Sequence, residues 1–284
     1  MAIAAAVSVD GRASARAIST PGSGSLVVER VGTRSLVTRA FATSPLRLLT
    51  PRNHGRAAWI YTSTYGGGLV DGDALRLDLE IGADAAALLA TQAATKVYRS
   101  PRGTSMSMTA RVGERALLVA APDPVVCFRG ASYRQDQRID LAETGGLVFI
   151  DWLTSGRHAA GERWSFDRYA SRLAISRQGR RVLLDALALD AAGLANRMGR
   201  FDVALVAIVL GPALVPHAES VLARVAATSI ARRARLLVGA SAIAGGGCLL
   251  RMIGTSVEDV GRAARGHLSF VPALLGDDPW SRKW

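Results

Sequence analysis

The feature that most restricts this chain is strict two-residue alternation. Leu75, Leu77, Leu79 and Ile81 alternate with Arg76, Asp78 and Glu80. A strand throws successive side chains to opposite faces, whereas a helix returns to one face only every 3.6 residues. Such a segment buries its leucines only as a strand with one apolar and one wet face. Tyr133, Gln135, Gln137, Ile139 and Leu141 oppose Arg134, Asp136, Arg138 and Asp140 in the same way, and residues 166–173 repeat the pattern. Segments 57–63, 105–112, 146–152 and 182–189 also read as strands. Turn residues separate them: Pro51-Arg52-Asn53, Gly66-Gly67-Gly68, Pro101-Arg102-Gly103, Pro122-Asp123-Pro124 and Gly145-Gly146. The expected fold is therefore mainly β, with many short strands. No repeat of fixed period is visible in the residues.

The texture changes near residue 200. Residues 201–210 form an unbroken apolar run, as a strand buried on both faces requires. Ala218, Val221, Leu222 and Val225 then recur at helical spacing. Segments 236–240 and 249–253 read as strands around the Gly245-Gly246-Gly247 turn. Thr255 with Glu258 has capping-box spacing, and Val260, Ala263, Ala264 and His267 continue one helix face. Two α-helices are thus expected in the C-terminal third. Residues 1–24, rich in Ala, Ser, Gly and Arg without apolar periodicity, are expected to be a mobile N-terminal tail. Residues 25–284 are expected to form a single domain.

Composition narrows the function classes. Thirty-five Lys and Arg against 23 Asp and Glu give a formal charge of +12, and only Lys96 and Lys283 are lysines. The arginines are spread along the chain rather than gathered in a run with interleaved aromatics, which argues against nucleic acid and leaves room for an acidic protein partner. Cys127 and Cys248 lie apart with no C-x-x-C, so buried free thiols are expected. The longest apolar run, 203–215, falls short of the ~20 residues a membrane helix needs. Residues 1–10 lack the core of a signal peptide. The chain is therefore expected in the cytoplasm, with no membrane partner.

Three segments carry candidate chemistry. TYGGGLVDGD (64–73) has neither the Gly-Lys-Ser/Thr of a P-loop nor a G-x-G-x-x-G, so its glycines read as a tight turn. Asp71 and Asp73 share one face of an extended segment, where two carboxylates either hold a cation between them or cap turn amides. TQAATKVYRS (91–100) holds the one lysine of the chain's interior. Lys96 serves either as a point charge toward a partner or as an ordinary surface residue. GRHAAGE (156–162) follows a buried strand, and Asp151, His158 and Glu162 are oxygen and nitrogen donors suited to a borderline divalent ion. No G-x-S-x-G is present and neither cysteine neighbours a histidine, so nothing supports acyl or phosphoryl transfer.

These segments, with Pro122 and Phe128-Arg129-Gly130-Ala131, SPLRLLTPRN (44–53) and the terminal PWSRKW (279–284), resemble the UreD (UreH) family of urease accessory proteins over residues 25–284. The family's acidic and aromatic residues before the proline are replaced here by Leu118-Val119-Ala120-Ala121, with Asp123 placed to stand in for the carboxylate. The resemblance implies a non-catalytic scaffold and nickel-insertion chaperone, its many short strands arranged in a β-helix-like or stacked-sheet body. Such a scaffold binds apo-urease, the accessory protein UreF and the GTPase UreG. It has no tightly bound cofactor, but Ni²⁺ in transit through an internal passage. Asp71, Asp73 and Glu162 are then candidates for that passage, and Lys96, Tyr98, Arg99 and Arg157 for partner binding. The alternatives are a generic basic adaptor without a metal role, or a small-molecule enzyme using Asp73, Glu162 and His158.

Overall fold

The structure, a computed structural model, describes residues 20–52 and 55–281. A hairpin opens it, β1 (Ser23–Val31) with β2 (Arg34–Ala42), followed by β3 (Leu46–Leu49) and β4 (Ala58–Thr64). Three coils come next. The first is β5 (Ala74–Ile81), β6 (Ala86–Thr91) and β7 (Thr95–Val97). The second is β8 (Thr104–Val112), β9 (Leu117–Ala120) and β10 (Val125–Cys127). The third is β11 (Ser132–Leu141) with β12 (Gly146–Thr154). The hairpin β13 (Arg168–Arg177)–β14 (Arg180–Asp190) follows. The chain ends with α1 (Leu194–Met198), β15 (Val203–Leu210), α2 (Val215–Ala226), β16 (Leu236–Ile243), β17 (Gly247–Gly254), α3 (Val257–His267) and α4 (Val271–Leu275).

The strands fall into two sheets. One runs β14-β13-β11-β8-β5-β1-β2, and the other β16-β17-β15-β12-β9-β6-β4-β3 with β10 and β7 attached beside β12. Each coil gives one strand to the first sheet and one or two to the second, and neighbouring coils pair in parallel. Ala74 pairs with Ser105, and Ser105 with Arg134, so the coils advance by 31 and then 29 residues. The sequence hides this repeat because only the inward alternation recurs, not the residues.

Register stacks like upon like. Leu79, Ala110, Ile139 and Ile175 lie side by side across four strands and are all buried. They pack on Leu118, Leu147 and Ile208 of the facing sheet. Full burial of each such aliphatic side chain contributes about 1.5–3 kcal/mol. The alternating strands β5 and β11 keep their charged faces in water. The second sheet differs, because α2, α3 and α4 cover its far side. Trp59, Leu88, Val148, Leu205 and Leu250 meet Val221, Val260 and Leu275 there. That second core is why 203–210 has no polar alternation.

Several expectations move. β1 begins at Ser23, which is buried and whose amide donates to Thr43 Oγ1 at 2.9 Å, so the domain starts inside the segment read as a tail. Residues 1–19 lie outside the described residues. Besides the two expected helices, two short ones, α1 and α4, are present. The cap of α3 is Ser256, whose Oγ accepts from the Asp259 amide at 3.1 Å, one residue beyond the Thr255–Glu258 pair. A serine there satisfies one of the orphan amides of the first turn.

Candidate functional site

Because the coils are parallel, all connections of one kind gather at one end. The short turns 82–85, 113–116 and 142–145 form one end. The long connections 65–73, 92–103, 121–131 and 155–167, which hold Asp71, Asp73, Lys96, Tyr98, Arg99, Arg157, His158 and Glu162, form the other.

Backbone hydrogen bonds weld these long connections together. The Leu69 amide donates to Lys96 O at 2.8 Å, and the Tyr98 amide returns to Leu69 O at 3.0 Å. The Phe128 amide donates to Val97 O at 2.9 Å and that of Ser100 to Gly130 O at 3.0 Å. Gly68 sits in the tightest place. A Cβ there would lie 2.7 Å from the Tyr98 ring and 2.8 Å from Lys96 O. Gly66 and Gly67 adopt φ of 85° and 69°, the left-handed region that a turn needs from glycine.

The candidate carboxylates do not converge. Asp71 accepts from Arg102 Nε and from the Arg102 amide, each at 2.8 Å. The Arg102 hydrogen bond holds its carboxyl below the usual range. Asp73 accepts from the Val70 amide at 2.9 Å, the turn-capping arrangement. Glu162, 8% exposed, lies in the 155–167 loop and takes a two-pronged ion pair from Arg157, plus the Arg129 amide at 3.2 Å. That pairing lowers its pKa. Among the described residues, no three His, Cys, Asp or Glu side chains group as a metal site. His158 is exposed on a single 3₁₀ turn.

The partner candidates share a neighbourhood. Tyr98 packs edge-on against Phe128, ring centres 5.2 Å apart, and the Arg157 guanidinium lies over the same ring at 4.4 Å. Lys96 and Arg99 are exposed beside them. Trp164 anchors the loop that carries Arg157 and Glu162. It is buried and donates from Nε1 to Phe201 O at 3.0 Å.

Sequence reasoning placed no cavity, yet one of about 230 Å³ lies between the sheets at this end. Its mouth is formed by 62–64, 67–69 and 91–95, where Gly67, Gln92 and Ala93 are exposed. Thr91 and Asp123 close one side, the Asp123 amide donating to Thr91 Oγ1 at 2.7 Å. One layer inward from the mouth, the apolar ladder breaks. Leu75 and Met106 stand in register with Gln135 and Ser171. Asp151 of β12 faces them. Its Oδ2 accepts from Gln135 Nε2 and, at 2.9 Å, from Ser171 Oγ, while Gln135 Nε2 also reaches Tyr169 Oη at 3.0 Å. The surface Asp151 leaves uncovered lines the cavity. Burial pushes its carboxyl pKa up, against the lowering effect of Gln135 and Ser171. Buried Gln137 also lines the cavity, and its Oε1 has no hydrogen-bond partner. The signal for this group was present in the sequence: two glutamines on the face of β11 that its alternation marks as inward. The Cys127 thiol, pushed by burial up to about 12, stays protonated and offers no thiolate.

A family model described as UreD urease accessory protein matches residues 20–284. Urease accessory protein UreD of Sorangium cellulosum is 52% identical over 272 residues, covering 95% of this chain and 86% of that protein. The protein of the same name from Anaeromyxobacter is 44% identical over 266 residues, covering 92% and 89%. Urease accessory protein D of Oryza sativa subsp. indica is 40% identical over 209 residues, covering 70% and 68%. With the family model running from β1 through every segment at the cavity end, the chain belongs to the UreD family of urease accessory proteins.

Proposed function

We propose that this protein is a cytoplasmic, non-catalytic scaffold and nickel-delivery chaperone that joins UreF and UreG to apo-urease and passes Ni²⁺ toward the urease active site. The observation that carries the reading is the cavity at the motif end, with a carboxyl at its inner wall and an unpartnered amide oxygen beside it.

A passage has to lower the cost of taking an ion out of water without trapping it. Bare burial of a charge is prohibitive, and a closed multi-ligand cage would hold the cargo. The cavity offers its oxygens singly: Asp151 and Gln137 deep inside, the Thr91–Asp123 pair at the mouth. Asp71, Asp73 and Glu162 stand at the same end but do not line this cavity; Asp73 is the one of the three whose carboxylate has no cationic partner among the described residues. Lys96, Tyr98, Arg99 and Arg157 form the neighbouring contact surface for the partner proteins.

The test is co-expression of apo-urease, UreF and UreG with and without this chain, reading nickel per urease active site. Omission is expected to reduce sharply both nickel content and urea hydrolysis. Unchanged nickel content would leave a scaffold with no metal role. Asp151→Asn in the same system tests the passage, with folding checked by thermal denaturation.

A further inference from the structure

The cavity mouth opens through a surface whose charge has the same sign as the divalent cation it would admit. The connections at this end, residues 65–73, 92–103, 121–131, 155–167, 191–202 and 227–235, hold eleven Lys or Arg against six Asp or Glu. The last two join the same end because Val203 pairs with Thr154, and Leu236 and Val203 both pair with Gly254. The three short turns at the opposite end carry Asp84, Glu114 and Glu143 against Arg115.

Local pairing does not consume this positive charge. Arg102, Arg157, Arg163 and Arg235 have carboxylate partners. Lys96, Arg99 and Arg129 on one side, and Arg197, Arg200, Arg232 and Arg233 on the other, are exposed with no carboxylate within ion-pair distance among the described residues. Large apolar side chains stand among them: Ile230 is 70% exposed, Tyr65 57% and Val70 55%. Exposed cations mixed with apolar anchors are the make-up of a protein-docking surface, in which the apolar groups supply affinity and the charges set rate and orientation. A nucleic-acid face would instead align cations along a groove with aromatic platforms.

We propose that the motif end of the molecule docks onto an acidic protein surface, and that the docked surface neutralises the rim so that a divalent cation can enter the cavity. An isolated chain repels such an ion at the mouth; a covered one does not. This rests on the delivery reading above, and deepens it by stating where the partner sits and what chemistry it presents.

The experiment co-expresses the full chain with apo-urease, UreF and UreG and measures their co-purification at about 50 and about 500 mM NaCl, where screening lengths differ severalfold. Two rim variants, Lys96→Glu with Arg99→Glu and Arg232→Glu with Arg233→Glu, are compared with Arg180→Glu plus Arg181→Glu in the β13–β14 hairpin. Circular dichroism confirms that each variant folds. Capture by the wild-type chain is expected to fall at least about tenfold at high salt. The rim variants are expected to lose as much at low salt, and the hairpin variant to stay within about twofold. Capture that survives both salt and rim reversal overturns the docking proposal while leaving delivery intact. Equal loss in the hairpin variant overturns it as well, because the effect would then be net charge alone. Capture of nucleic acid in place of protein also overturns it. No capture by the wild-type chain at low salt overturns both docking and delivery.

Discussion

The two ends of the coil stack are built from the same strands and differ in everything that follows them. At the short-turn end, each connection closes on its neighbour. Arg115 forms a two-pronged ion pair with Asp84, its amide donates to Thr144 Oγ1 at 2.8 Å, and Glu114 receives the Glu143 and Thr144 amides. Polar groups there are used up in joining coils. At the motif end, the connections are long and leave a cavity, seven exposed cations and exposed Tyr65, Val70 and Ile230. One end spends its polar chemistry on the fold, and the other keeps it available. Asp71, Asp73, Lys96, Arg157 and Glu162 lie at the second.

That contrast can be broken at several points. The largest effect is expected for Trp164→Ala. It removes a fully buried indole whose Nε1 ties the 155–167 loop to Phe201, and should cost about 3–5 kcal/mol in urea unfolding. Urease activation should fall with it, since Arg157 and Glu162 ride on the same loop. Next is Gly68→Ala. The added methyl would press on Lys96 O and the Tyr98 ring, and about 1–3 kcal/mol of overpacking is expected, together with displacement of the cavity mouth.

Asp151→Asn separates the two ends in the opposite sense. The Asp151 pKa is raised in the folded state, so below the unfolded carboxyl pKa near 4 the acid is protonated in both states and carries no penalty. As pH rises through that value toward the folded pKa, the unfolded chain ionises more readily and stability is lost. The asparagine variant should therefore match the wild type in acid and be the more stable of the two at neutral pH. At the same time it should lower nickel loading of urease. A gain in stability with no loss of loading would make Asp151 a purely structural residue.

The smallest effect is expected at the short-turn end. Arg115→Ala removes an exposed ion pair and should leave the denaturation midpoint within about 2 °C and urease activation unchanged. Acid gives the complementary reading. Asp84 and Glu114 have lowered pKa values, the first from Arg115 and the second from Thr144, so their contribution is present above pH 4–4.5 and lost as pH falls below it. A clear activation defect in Arg115→Ala would mean that both ends take part in function.

How much of this was legible follows from what each signal depends on. Alternation in β5, β11 and β13 and the apolar run of β15 are local consequences of having one wet face or none, so they read directly from the residues. Strands β6 and β9 are short and, Thr91 apart, apolar, without the period that separates strand from buried helix. The helices α1 and α4, five residues each, are set by packing rather than by pattern. The paired carboxylates were visible as residues, but their partners were not. Arg102 lies 31 positions from Asp71, and Gln135 lies 16 from Asp151.

The sequence by itself determined the two-faced strands, the turns that divide them and the family, because these depend on neighbours along the chain. The tertiary structure alone decided that the coils stack in parallel, that four distant motifs meet at one end, and that a polar layer opens a cavity beneath them. Those are matters of register between segments about 30 residues apart, and a periodicity of two carries no information about which coil lies beside which.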